Sequence, residues 1–132
     1  LLFGGNEREH ADCNSIKEAV PDRTFISPYS PIKYLASMIS RCSMVIGNDS
    51  GPLHISAAMK VPTLGIYGPT NSALAKPYGE KNLAVYNENL DCLGCGLLEC
   101  NIGNICMTEL SKEKIMKNID ELIKINKIKI SN

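Results

Sequence analysis

The sequence lacks a long apolar run, a secretion signal and an excess of charge of either sign. No stretch approaches the roughly 18 to 20 apolar residues of a membrane-spanning helix, and no charged, apolar and small-residue order resembles a signal peptide. The 132 residues carry 14 basic and 14 acidic side chains, so neither the basic surface of a nucleic-acid-binding protein nor a polybasic membrane patch is expected. We therefore predict a cytoplasmic protein with no nucleic-acid partner and no transmembrane segment.

Aromatic residues are also scarce, at 5% with no tryptophan, whereas the chain contains six cysteines. Without a signal peptide, these cysteines are not expected to form the disulfide framework of a secreted protein. Two of them stand in apolar helical patterns and are interpreted as buried thiols, Cys13 and Cys42. The other four follow a C-x2-C-x4-C-x5-C spacing, at Cys92, Cys95, Cys100 and Cys106. The first gap suits a structural zinc and the later gaps are looser, so a tetrathiolate zinc and free thiols or labile disulfides both stay open.

Short apolar runs alternate with helical stretches, which is typical of an α/β fold with a mostly parallel sheet. The length predicts one domain with a core of its own, which we place over 1–126. Strands are predicted over 1–3, 24–26, 43–47, 61–67 and 82–86, and helices over 7–20, 31–41, 52–59 and 111–126. We expect the strand over 43–47 to be central and buried on both faces.

Two segments of the chain fall outside this alternation. A cysteine-rich loop over 90–107 has no readable period, and a tail follows over 127–132. Because the chain begins at Leu1 without a methionine, and as if within a strand, we expect it to be a piece of a longer protein.

The segment over 45–54 combines a buried strand, a tight turn and the start of a helix. In open α/β sheets, ligands bind beyond the carboxyl ends of strands, where helix N-termini present unpaired N–H groups. Asp49 and Ser50 are natural N-cap residues, Gly51 allows a close backbone approach, and Pro52 suits the first helical turn. His54 lies about one turn further on, within reach of an anion at that helix end. A plain helix cap and a structural histidine are the alternatives for Asp49 and His54.

A second strand end, over 65–71, lies where its backbone and Thr70 could face the same crevice. Turn chemistry alone explains this stretch equally well.

The residues over 45–72, VIGNDSGPLHISAAMKVPTLGIYGPTNS, resemble the signature of the glycosyltransferase family that includes the ADP-heptose:lipopolysaccharide heptosyltransferases. That signature has a D-[ST]-G-x-x-H core, an alanine-rich helix, a V-P-T strand and a G-P-T loop, in this order. The stretch from Gly4 to Glu7 also resembles the family's G-G-x-x-E strand end with one residue fewer. The cysteine-rich segment has a counterpart in many members, so the resemblance covers nearly the whole chain.

The resemblance implies the GT-B architecture, in which two Rossmann-like halves face each other across a cleft. This chain resembles the C-terminal half, which binds the nucleotide-sugar donor, with ADP-heptose as the first choice. The implied reaction is an inverting transfer of heptose or a related sugar to lipopolysaccharide core or a similar surface glycan. The N-terminal half would carry the catalytic base and bind the glycolipid acceptor, so the present chain alone is expected to be inactive. The full-length enzyme would be cytoplasmic or peripheral at the inner membrane.

Carried over by position, the resemblance gives the donor-binding roles to eight residues. Asp49 would contact the donor sugar and phosphate region, Ser50 and Gly51 the pyrophosphate, and His54 would neutralise the leaving nucleotide diphosphate. Glu7, with Glu9 as its rival, would hold the ribose, and Ser30, beside Tyr29, would lie near the adenine. The set is completed by Leu53 and Thr70. No metal cofactor is implied, and the chain has no Asp-x-Asp pair for a divalent cation.

Two other functions are weighed against this one. In the first, a zinc-stabilised interaction module uses the cysteine segment and the final helix as its working surface, and the Asp49 turn is only a cap. The second is a dinucleotide-binding Rossmann domain, which is disfavoured because no G-x-G-x-x-G follows a strand.

Overall fold

The computed structural model describes residues 1–129. The last three positions of the predicted tail over 127–132 lie outside the described residues. The chain divides into two compact units, Leu1–Leu35 and Ala36–Asn132, and each is described by itself. The single domain predicted over 1–126 stays a prediction.

The first unit is built around a polar helix, α1 (Glu7–Ala19), followed by a single 3-10 turn at Pro21–Arg23. Asn6 caps α1, since its side chain accepts a hydrogen bond from the Glu9 N–H at 2.9 Å. Cys13 is the buried residue of this helix, as predicted.

The strands predicted over 1–3 and 24–26 are reduced to one parallel bridge between Leu2 and Ile26. The Leu2 N–H donates to the Phe25 carbonyl, and the Ser27 N–H donates to the Leu2 carbonyl.

Helix α2 (Ile32–Ile39) begins in the first unit and ends in the second. It is shorter than the predicted 31–41 because its last turn tightens. The Cys42 N–H bonds to the Ile39 carbonyl, three residues back. Ile39 is fully buried and Cys42 only partly so.

The second unit contains a three-stranded parallel sheet in the order β1 (Val45–Asn48), β2 (Thr63–Ile66), β3 (Leu83–Val85). Helix α3 (Gly51–Ala58) connects β1 to β2, and the short α4 (Ser72–Ala75) lies between β2 and β3. The short α5 (Ile105–Thr108) and the long α6 (Lys112–Asn126) follow. The predicted α/β fold with a parallel sheet and flanking helices is confirmed.

The central strand of this sheet is β2, which corrects the expectation that the run over 43–47 is central. Thr63, Leu64 and Gly65 are all buried, whereas β1 pairs on one side with β2 and leaves Ile46 39% exposed. The run over 43–47 is apolar enough for either position, and pairing partners rather than composition decide which strand is covered.

The core of the second unit lies between β2, β3 and α6. Leu64, Val85 and Leu122 are its fully buried members. Partly buried apolar side chains surround them, at Met44, Ile66, Leu83, Leu110, Ile115 and Ile119. Ser111 caps α6 as predicted, because its hydroxyl accepts a hydrogen bond from the Lys114 N–H at 3.2 Å. Across residues 1–129, no helix is long and apolar enough to cross a membrane.

Candidate functional site

The carboxyl ends of β1 and β2 lie side by side at one edge of the sheet. Asn48 is in register with Ile66, and the Asp49 N–H donates to the Ile66 carbonyl at 3.2 Å. The Tyr67 N–H donates to the Val85 carbonyl at 2.9 Å, which ties the next strand end to the same edge. The turn at Asp49 and the loop that follows Tyr67 are therefore brought together, and open α/β sheets bind their ligands at such an edge.

Helix α3 begins at this edge without a side-chain cap. Ser50 occupies the N-cap position with an extended backbone, but its side chain makes no capping hydrogen bond. Its hydroxyl donates instead to the Asn48 carbonyl at 3.0 Å. Ser50 therefore occupies the N-cap position, but its side chain does not cap the helix as expected. The first N–H groups of α3 are left without side-chain partners. Such groups, together with the helix dipole, favour an anion at this helix end.

Gly51 leaves free space in front of the first turn of α3. A Cβ added at Gly51 would meet no atom within 4 Å, so a ligand can approach the backbone closely. Pro52, the next residue, sits in the first turn, where its missing N–H is not needed.

Asp49 and His54 are both exposed near this helix end, whereas Leu53 is not. The Leu53 side chain is 1% exposed, and one of its methyl groups would lie 3.5 Å from a Cβ at Gly47. Its side chain therefore packs α3 onto β1, and the donor-binding role of Leu53 stays a prediction.

Tyr67 lies directly after β2 and was not singled out in the sequence. Its ring is fully buried, and its hydroxyl donates to the Ala75 carbonyl at 3.3 Å. Burial and, after it, the negative charge of Asp49 raise the pKa of Tyr67 to about 12. The signal in the sequence that could have identified Tyr67 was its place as an aromatic residue directly before the Gly-Pro turn.

Thr70 lies half-buried in the loop Gly68–Asn71, and the cysteine-rich segment supports this loop. The Gly96 N–H donates to the Pro69 carbonyl at 2.7 Å. Asn71 then caps α4, since its side chain accepts a hydrogen bond from the Ala73 N–H at 3.0 Å. The segment with no readable period is thus packed against the second predicted strand end.

Glu7 and Ser30 belong to the first unit. The Glu9 carboxylate accepts a hydrogen bond from the Gly5 N–H at 2.5 Å, so Glu9 is engaged in the start of α1. Glu7 is exposed at the first position of the helix, which favours Glu7 over its rival as a carboxylate available to a ligand. The Ser30 hydroxyl donates to the Pro28 carbonyl at 2.9 Å, and Tyr29 is 79% exposed.

The cysteines of the described residues are free thiols. Within residues 1–129, no group of three or more His, Cys, Asp or Glu side chains is placed to hold a metal ion. A tetrathiolate zinc and free thiols or labile disulfides both stay predictions for the four cysteines of the C-x2-C-x4-C-x5-C motif.

Comparison with known families places the chain among sugar transferases. The pattern of Glycosyltransferase family 9 (heptosyltransferase) matches residues 1–105. The chain belongs to this family. The family predicted from the motifs over 45–72 is thereby confirmed, and no solved structure matches the chain significantly.

Curated relatives of this family 9 chain carry heptosyltransferase names. Lipooligosaccharide heptosyltransferase 2 of Campylobacter jejuni subsp. jejuni serotype O:2 is 32% identical over 129 residues, covering 94% of this chain and 40% of the relative. The enzyme of the same name from Haemophilus influenzae is 32% identical over 85 residues, covering 61% of this chain and 24% of the relative. Lipopolysaccharide heptosyltransferase 1 of Salmonella typhimurium is 28% identical over 80 residues, covering 61% and 25%. The chain thus spans less than half the length of these relatives.

Proposed function

We propose that this chain is the nucleotide-sugar-binding part of a GT-B glycosyltransferase. The enzyme would transfer heptose or a related sugar from a nucleotide diphosphate sugar, ADP-heptose first among them, to lipopolysaccharide core or a similar surface glycan. The observation that carries this proposal is the uncapped N-terminus of α3 at the carboxyl edge of the sheet, with open space at Gly51. The heptosyltransferase names of the relatives support it.

The pyrophosphate of the donor would bind at the start of α3. The backbone N–H groups of Ser50 and Gly51 would donate to it, and the positive end of the helix dipole would favour its charge. As the glycosidic bond breaks, the departing nucleotide diphosphate gains negative charge. Fixed N–H donors at this point stabilise the transition state more than the bound substrate, and such differential stabilisation accelerates the reaction.

His54 and Asp49 would act on either side of that pyrophosphate. The His54 imidazole can donate a hydrogen bond to the leaving phosphate from the exposed face of α3. The Asp49 carboxylate accepts hydrogen bonds and repels an anion, so its natural partners are sugar hydroxyls. Glu7 at the ribose, Ser30 near the adenine and Thr70 in the loop after Tyr67 keep the roles that the family resemblance gives them.

The same arrangement supports transfer without a divalent cation. The helix N-terminus and His54 supply the positive potential that a metal would otherwise provide at the diphosphate. We infer that the transferase needs neither a metal nor another cofactor, and that it acts in the cytoplasm or at the inner membrane surface. We expect sugar transfer by the full-length protein to be undiminished in EDTA. A loss of transfer in EDTA that added Mg²⁺ alone restores would contradict the cofactor proposal.

Titration calorimetry with ADP, ADP-heptose and UDP-glucose tests the donor site. We expect the ADP compounds to bind and the affinity to fall about tenfold or more in His54→Ala, since an ion-assisted hydrogen bond contributes roughly 1.5 to 3 kcal/mol. Asp49→Asn is expected to weaken the binding of ADP-heptose more than the binding of ADP. Asp120→Asn on α6 is the matched carboxylate control and should bind as the parent chain does. Absence of binding by all three nucleotides would refute the proposal.

A further inference from the structure

The cysteine-rich segment over 90–107 packs directly on the loop Gly68–Asn71. The Gly96 N–H bonds to the Pro69 carbonyl at 2.7 Å. A Cβ added at Gly94 would lie 3.3 Å from the Asn71 Cβ, so the backbone of Gly94 sits close against the end of the loop. Gly94 and Gly96 thus contact the two halves of the loop.

Cys92 and Cys95 flank this contact as the first and fourth residues of a turn. The Cys95 N–H donates to the Cys92 carbonyl at 3.2 Å, and Gly94 at the third position has φ +72°, as a type II turn requires. The first and fourth Cα atoms of a β-turn lie within about 7 Å, near the upper end of the separation that a disulfide spans. Both thiols are free, and the turn holds them on two residues that are close along the backbone.

The other two cysteines of the segment are less suited to exchange. Cys106 is buried, and its Sγ would lie 3.2 Å from a Cβ at Gly68. Burial raises the pKa of the Cys106 thiol, and the nearby Cys100 and the turn cysteines raise it further, which leaves little thiolate for attack. The Cys100 sulfur accepts a hydrogen bond from the Asn104 N–H at 3.3 Å. Cys95 is the exposed thiol of the group and is therefore the one that a reagent in solution reaches first.

We propose that Cys92 and Cys95 form a redox-active dithiol whose closure into a disulfide locks the loop Gly68–Asn71. The oxidant is a low-molecular-weight disulfide. The Cys95 thiolate attacks one of its sulfur atoms, forming a mixed disulfide and releasing one small thiol. The Cys92 thiolate then attacks Cys95 Sγ and releases the second small thiol. Two protein thiols lose their protons and one electron pair, and the oxidant is reduced to two thiols.

The disulfide closes a ring of four residues, from Cys92 to Cys95, whose backbone already forms a turn in the reduced chain. Because Gly94 and Gly96 contact Asn71 and Pro69, the restriction extends to the loop. Resting on the proposed function, the locked loop is better preorganised for the nucleotide sugar, and the oxidised chain binds ADP more tightly.

The experiment places the protein in oxidised and reduced glutathione buffers, followed by alkylation and peptide mass spectrometry. We expect a disulfide joining Cys92 to Cys95, and exchange of the Gly96 amide hydrogen slowed roughly tenfold on oxidation, given the loop-closure entropy of so short a ring. Three results overturn the proposal: a bridge to Cys100 or Cys106, unchanged Gly96 exchange in the bridged protein, or stoichiometric zinc on the reduced protein.

Two serine variants complete the test. Cys95→Ser should abolish the bridge and the change in Gly96 exchange, and Cys42→Ser, outside the segment, should retain both. ADP titration of the oxidised and reduced chains then measures whether the disulfide strengthens ADP binding. Equal affinities would overturn the proposed link between the disulfide and the donor site. If ADP binds neither form, the proposed function fails, while the mapped disulfide and the Gly96 exchange still decide the dithiol.

Discussion

Two glycines at the site edge differ in the space around them, and this difference gives a residue-scale prediction. A Cβ at Gly65 would lie 2.5 Å from Cε2 of the buried Tyr67 ring, whereas a Cβ at Gly51 would meet nothing. We expect Gly65→Ala to lower the free energy of unfolding by about 1 to 3 kcal/mol, because the ring has no room to move. Gly51→Ala should unfold at the same or a slightly higher urea concentration than the parent. Equal losses in the two variants would contradict the described packing.

The same Gly51→Ala variant separates stability from ligand binding. Its added methyl group would occupy the space through which, under the proposed function, the pyrophosphate reaches the first N–H groups of α3. We expect ADP affinity to fall about tenfold, equivalent to about 1.4 kcal/mol, with no loss of stability. Unchanged ADP affinity, measured by calorimetry, would place the pyrophosphate elsewhere.

Tyr67 predicts an alkaline pH dependence of stability. Its pKa is about 12 in the folded chain, against an ordinary value of 10.0. The folded state therefore retains the phenol proton that the unfolded state loses above pH 10. The free energy of unfolding should fall as pH rises from about 10 to about 12, by up to about 2 kcal/mol. Urea unfolding across this range should give a flatter curve for Tyr67→Phe, and identical curves would contradict the assignment.

At the scale of elements, two helix starts carry a serine at the N-cap with different chemistry. The Ser111 hydroxyl accepts the Lys114 N–H, whereas the Ser50 hydroxyl bonds back to Asn48. Ser111→Ala should therefore lower the free energy of unfolding by about 1 kcal/mol, and Ser50→Ala by clearly less. Thermal and urea unfolding measure both. An equal loss would mean that Ser50 does cap α3.

The elements near the site were predictable from the sequence where local chemistry decides their type and order. They were less predictable where packing against other elements decides their position. The order of strand, turn and helix over 45–58 follows from an apolar run, Gly51 and Pro52, and the structure has it within two residues. The position of β2 at the centre, the buried Leu53 and the role of Tyr67 depend on which elements pack together. Periodicity does not carry that information, because both strands are apolar and both sides of α3 contain small residues.

The whole chain is electrically neutral, so any attraction for a diphosphate must be local. Under the proposed function, the start of α3 would supply it through backbone N–H groups, which carry no formal charge and do not alter the net charge of the chain. Recognition of this kind acts over a few ångströms rather than over the protein surface. It suits a site that must hold a departing diphosphate in a fixed position.

Binding and transfer should therefore separate when this chain is compared with a full-length relative. The described residues offer N–H donors, His54 and carboxylates at the donor edge, while the chain covers 40% of the Campylobacter jejuni relative. We expect the 132-residue chain to bind ADP and to release no ADP from ADP-heptose in the presence of a lipopolysaccharide acceptor. A full-length member of the family should do both, and should lose transfer when the counterpart of His54 is replaced by alanine. Sugar transfer by the 132-residue chain alone would contradict the division of the enzyme into donor and acceptor halves, because the catalytic base would then have to lie within the residues described.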